Sequence, residues 1–143
     1  MTQTRIYLPL DTARMRELAE TRSLARVPLG AFAVTGRLER SLPTGDEEEW
    51  EYAALCEAAE AAAAAAGRGA ARTKRVIAAA DVDGEWVSEA ASEGAALAAV
   101  SVSEPVQLRD IVSFHVDEVP GADGTEDLLW YDATELDEVI RLL

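Results

Sequence analysis

The sequence predicts an α/β layered sandwich, one domain over residues 1–143 with a mixed sheet of five or six strands; an α+β arrangement is the alternative. Three observations lead there. Short β-rich runs alternate with segments of helical periodicity along the whole chain. The run Val76-Ile77-Ala78-Ala79-Ala80 is continuously apolar, as a strand covered on both faces must be. The length, 143 residues, suits one core that buries about 70% of the unfolded chain's surface, and no repeat or long linker divides it.

Arg5-Ile6-Tyr7-Leu8 reads as the first strand, ended by Pro9, which has no N–H to donate. Asp11 then caps a helix in which Met15, Leu18 and Ala19 share a face, while Arg14, Arg16 and Glu17 point outward. The chain turns at Pro28-Leu29-Gly30 into a buried strand, Ala31 to Val34, and a short amphipathic turn, Arg37 to Arg40, leads to Pro43. Thr44 to Glu47 matches a capping box, and the acids Asp46 to Glu49 suit the positive end of the helix that follows. Its apolar stripe is Tyr52, Leu55, Cys56, Ala59, Ala62, Ala63 and Ala66, with Gly67 as terminator. Trp50 lies about 160° around the axis from Tyr52, so it either folds against the Arg37 to Pro43 segment or meets a partner.

After the Val76 to Ala80 strand, Asp81 to Gly84 predicts a turn, and Trp86, Val87, Ala90 and Ala91 one side of a short helix ending at Gly94. Leu97 to Val102 reads as a strand, and Pro105 opens a helical turn through Leu108 and Ile111. In Ser113 to Asp117, alternation places Phe114 and Val116 on one face and His115 and Asp117 on the other. An acidic loop, Glu118 to Asp127, precedes Leu128 to Tyr131, where Leu128 and Trp130 point one way and Leu129 and Tyr131 the other. The last helix, Thr134 to Leu143, is capped by Asp132 with Glu135 or by Thr134 with Asp137.

Composition excludes several functions. The net charge of −14 is divided as +3 over residues 1–43 and −17 over the rest, which repels phosphate backbones and favours a basic partner or a generally acidic surface. No nucleic acid is expected. No run approaches the length of a membrane span, and MTQTRIYLPLD lacks the apolar region of a secretory leader. A single cysteine permits no internal disulfide framework and suits a reducing compartment, so a cytoplasmic protein is expected.

Chemistry is hard to place. Cys56 falls on the predicted buried stripe, no serine lies in a G-x-S-x-G elbow, and His115 with Asp117 is a pair without a nucleophile. Asp81-Val82-Asp83-Gly84 lacks the later ligands of a calcium loop, and Asp117, Glu118, Asp123, Glu126 and Asp127 read better as a solvated acidic loop than as a cation site. Gly67-Arg68-Gly69 follows a helix rather than opening one, so it is no phosphate loop; Arg68, Arg72, Lys74 and Arg75 complement a helix C-terminus or anchor an anion. No catalytic residue, metal or cofactor is expected.

The quoted stretches RIYLPLD, GAFAVTGRL, DEEEWEYAALCEAA, RVIAAADV, SFHVDE and LLWYDATEL together resemble a family of small actinobacterial proteins defined as a domain of unknown function. The likeness spans nearly the whole chain. Its most specific parts are Asp46 to Tyr52 and LLWYDATEL, and Trp50 stands where an aliphatic residue is expected. The resemblance implies a cytosolic actinobacterial protein and carries over no catalytic residue.

The leading expectation is a non-catalytic protein-interaction module, with Trp130, Tyr131, Asp132 and Trp50 as contact residues and a basic protein or a second copy of the chain as partner. Two readings of Trp130-Tyr131 stay open, structural and recognition. The alternative function is a small-ligand protein or enzyme with a pocket lined by Tyr7, His115, Tyr131 and Asp132.

Overall fold

The computed structural model describes residues 2–66, 74–91, 94–121 and 124–143. In chain order the elements are β1 (Gln3–Leu10), α1 (Thr12–Thr21), β2 (Ser23–Leu24), β3 (Leu29–Ala33), α2 (Gly36–Ser41), α3 (Glu47–Ala66), β4 (Val76–Asp83), β5 (Val87–Glu89), β6 (Ala99–Val102), β7 (Val106–Gln107), β8 (Ile111–Val116), β9 (Leu129–Asp132) and α4 (Leu136–Leu142). Seven strands form one sheet in the order β5-β6-β3-β1-β4-β8-β9, while β2 and β7 make a separate two-stranded ribbon.

The α/β layered class holds, with two corrections. The sheet has seven strands rather than five or six, and every ladder in it is antiparallel rather than mixed. Alternation of strands and helices is blind to strand direction. Here α1 and the ribbon strand β2 return the chain so that β3 runs opposite to β1 and pairs with it at Ile6↔Ala33 and Tyr7↔Phe32.

Neighbouring strands also move several predicted boundaries. Pro9 does not end β1, because β3 pairs with β1 only at Ile6 and Tyr7; at Pro9 the strand has a single paired neighbour, β4, and a missing donor is tolerated. Asp81 to Asp83 belong to β4 rather than to a turn, since β1 supplies Gln3, Thr4 and Arg5 as partners. The chain reverses one residue later, where the Gly84 N–H donates to Thr2 O at 2.8 Å and an added Cβ would stand 2.9 Å from Thr4 Oγ1. The helix expected after it is one 3-10 turn, Gly84–Trp86, followed by β5, which β6 recruits into the sheet. Pro105 likewise precedes β7 before a 3-10 turn at Leu108–Asp110.

Side chains of alternate residues build two cores. On one face Ile6, Leu8, Val76, Phe114 and Val116 pack against Met15 and Leu18 of α1 and Leu136 and Val139 of α4. On the other, Tyr7, Ile77 and Ala79 meet Ala54, Ala58, Ala59 and Ala62 of α3 and Leu38 of α2. Capping fixes both helix entries: Asp11 Oδ1 accepts from the Arg14 N–H at 2.8 Å, and Asp46 Oδ1 from the Glu49 N–H at 2.9 Å. Asp46, not Thr44, therefore caps α3.

The stripe of α3 is rotated from its predicted position. Ala54, Ala58, Ala59 and Ala62 are buried, Leu55 and Cys56 are half-buried, and Tyr52 and Ala63 are exposed. Alanines can approach the small Ala79 closely, where Tyr52 has no room. Gly67, Arg68, Gly69, Arg72 and Asp123, named above, lie outside the described residues, as does the Ala66 side chain.

Candidate functional site

α3 packs chiefly on β1, β3 and β4, which leaves the same face of β8 and β9 less covered. Strand register brings polar and aromatic side chains to this partly open surface. One row across the sheet runs Phe32, Tyr7, Ala79, Ser113, Asp132, and the next carries Ile77, His115 and Trp130. Adjacent residues in a row stand about 5 Å apart, so His115 and Trp130 are cross-strand neighbours.

Two arginine–aspartate pairs mark opposite ends of this face. At one end Arg5 Nε and Nη2 donate to Asp81 Oδ1 and Oδ2 at 2.5 and 3.0 Å, a bidentate fork that is about one-third exposed. With Gln3, Thr4 and the acids Glu39, Glu47 and Glu51 they line a cleft of about 500 Å³. Burial, then the neighbouring Glu47, raises the Glu51 carboxyl above the usual range. Burial, then Glu51, also raises the Tyr7 hydroxyl. At the other end Arg75 Nε and Nη2 donate to Asp117 Oδ2 and Oδ1 at 2.9 and 2.7 Å, the Arg75 backbone N–H donates to Oδ2 at 2.7 Å, and Nη2 also reaches Gly124 O. Both side chains are buried, and the pair ties β4, β8 and the segment before β9 together.

His115 does not bond to Asp117, whose carboxylate is taken by Arg75. Its Nε2 instead shares a hydrogen bond with Ser113 Oγ at 3.3 Å. Burial, with the Arg5 charge as a second cause, holds the imidazole below its ordinary pKa. It is a neutral, half-buried group at neutral pH.

The pocket expected from Tyr7, His115, Tyr131 and Asp132 is not assembled. Tyr7 and His115 are on the α3 side, but Tyr131 pairs with Phe114 on the opposite side and packs against the larger core. Asp132 accepts from the Thr134 N–H and Oγ1, each at 2.9 Å, which holds its carboxyl below the usual range, and Glu135 Oε1 accepts from the Asp132 N–H. Of the two caps considered, it is Asp132 with Glu135 that forms. Trp50 is also engaged: its Nε1 donates to Leu42 O at 3.0 Å, over Gly45, where a Cβ would come within 3.0 Å of the same nitrogen. Trp130 is 60% exposed on β9, the terminal strand of the sheet, and Tyr52 on α3 is 46% exposed.

The sequence reading missed Arg5 and Asp81 as partners and Arg75 with Asp117. Their separations of 76 and 42 residues leave no local pattern. An arginine inside a β-rich run, sharing a face with Tyr7, was the one available signal.

A model of a family described as being of unknown function, DUF6912, matches residues 4–140. The chain belongs to DUF6912. No curated protein and no solved structure matches it significantly. In this DUF6912 chain no described helix is long and apolar enough to cross a membrane, and no three His, Cys, Asp or Glu side chains of the described residues gather where they could hold a metal ion.

Proposed function

We propose that the protein is a non-catalytic recognition module whose contact surface is the free edge of β9, centred on Trp130, and whose partner is a basic protein. The carrying observation is the exposure of Trp130, 60%, while the chain's other two tryptophans, Trp50 and Trp86, pack against its cores. A tryptophan left in water contributes little to the fold, and tryptophan is among the side chains that most often anchor interfaces. An edge strand adds unpaired N–H and C=O groups that a second strand can use. The sequence from 126 to 138 holds six acids and no base, a local negative charge that favours cationic partners and speeds their approach.

The test is quantitative affinity purification with wild-type protein beside Trp130→Ala, followed by binding of the purified partner over a salt series. A partner lost in the variant and weakened by salt is the expected result. The same partners captured by both proteins would remove Trp130 from recognition. Light scattering of the purified chain tests the second-copy partner: a monomer at every concentration excludes self-association.

A further inference from the structure

A groove of about 780 Å³ runs between the α1–β2 junction and the β9–α4 junction. Its lining carries Arg22 and Arg109 as well as Asp132 and Asp137, with Leu108 and Leu136 among the apolar residues. The backbone joins the two segments that carry the arginines. Arg22 O accepts from the Leu108 N–H at 2.8 Å, and the ribbon pair Ser23↔Gln107 extends the connection, so two residues far apart in sequence are held side by side.

Arg22 is unusual in its conformation. Its φ of 60° makes it the only non-glycine among the described residues in the left-handed region, at the helix end where glycine is the residue without penalty. A long cationic side chain stands at a position whose backbone conformation favours glycine. Among the described residues, neither Arg22 nor Arg109 forms a salt bridge, with the aspartates of the same groove or with any other acid. A groove lined by both charge signs with no salt bridge between them is complementary to a molecule carrying both charges. A guanidinium fork matches a carboxylate, and an aspartate matches an ammonium. The volume lies within the ordinary range for small-ligand sites.

We propose that this groove binds a zwitterionic small molecule of amino-acid or dipeptide size, its carboxylate on Arg22 and Arg109 and its ammonium on Asp137. The groove shares Asp132 with the strand that carries Trp130, but Trp130 itself does not line it, so Trp130→Ala binds the same ligand as wild type. The test titrates the standard amino acids and glycyl-leucine into the full chain, following arginine Nε–Hε resonances by NMR and the melting temperature. At least one probe is expected to shift Arg22 and Arg109 saturably at millimolar concentration. Arg22→Gly and Asp137→Asn are each expected to weaken it by about tenfold or more. Arg22→Gly should also melt no lower than wild type, because glycine relieves the left-handed backbone, so loss of binding there is not loss of fold. N-acetylation or carboxyl amidation of the ligand should each weaken it similarly. No shift with any probe, unchanged affinity in both variants, or equal binding of the N-acetylated form would overturn the proposal.

Discussion

The two faces of the sheet bury apolar surface by different means. Against α1 and α4 the strands present Ile6, Leu8, Val76, Phe114 and Val116, and the helices answer with Met15, Leu18, Leu136 and Val139. Against α3 they present Ile77 and Ala79, and the helix answers with four alanines. The first face draws its stability from area removed from water, roughly 25 cal/mol per Å². The second depends on close approach, and it carries an arginine–aspartate pair at each end as well as the exposed Trp130. The contrast teaches where this chain can tolerate change: large side chains seal one face, while polar and aromatic groups remain available on the other.

Breaking the ion pairs gives the largest expected effect and compares the two ends of the α3 face directly. Asp117→Ala removes the carboxylate that forks onto the buried Arg75 side chain and accepts from its backbone N–H, so about 3–5 kcal/mol is lost on urea unfolding. Asp81→Ala exposes an arginine that is already about one-third accessible and should cost no more than about 1 kcal/mol. Equal losses would mean that burial does not separate the two pairs.

Substitutions in the cores sharpen the comparison next. Ala58→Leu forces extra volume between α3 and the sheet and is expected to cost about 1–3 kcal/mol, whereas Leu18→Met, which conserves volume on the other face, should cost under about 1.5 kcal/mol. Denaturant midpoints measure both. An Ala58→Leu variant as stable as wild type would show that the α3 face is not closely packed.

The smallest effect is a pH dependence. His115 binds its proton less readily when folded than when unfolded, where the pKa is about 6.5. Below that pH the unfolded state therefore holds more protons, and the contribution of His115 to stability, complete above about pH 6.5, is lost as pH falls toward the folded pKa. His115→Gln should flatten that part of the stability profile. An unchanged slope in the variant would assign the acid sensitivity to other groups.

Local pattern made much of this fold legible. Asp11 as a cap, Met15 and Leu18 as a buried face, the apolar Val76 to Ala80 strand and the alternation through Phe114, His115 and Val116 all stand in the structure as the sequence implied. The failures share one cause. Residues Val87 to Glu89 carry a weak helical signal, yet β6 gives them hydrogen-bonding partners that no window of sequence contains. Tyr52 belongs to the apolar stripe by periodicity, but the face of α3 turned to the strands is that of Ala54, Ala58, Ala59 and Ala62, and Tyr52 is exposed. In the candidate sites, Trp130 and His115 were visible as residue types, while the Arg5–Asp81 fork and the groove at Arg22 and Arg109 were not.

By itself the sequence determined the α/β class, the Asp11 cap, the central apolar strand and the acidic stretch that contains Trp130, because each depends on neighbours within a few residues or on composition. Tertiary structure alone decided that the sheet is antiparallel with seven strands, that Tyr131 packs against the core while Trp130 stays in solvent, that Asp117 serves Arg75 rather than His115, and that Arg22 meets Leu108. The physical reason is that strand order and register are set by packing and hydrogen bonds between distant segments, and a one-residue change of register would exchange every inward side chain for its outward neighbour.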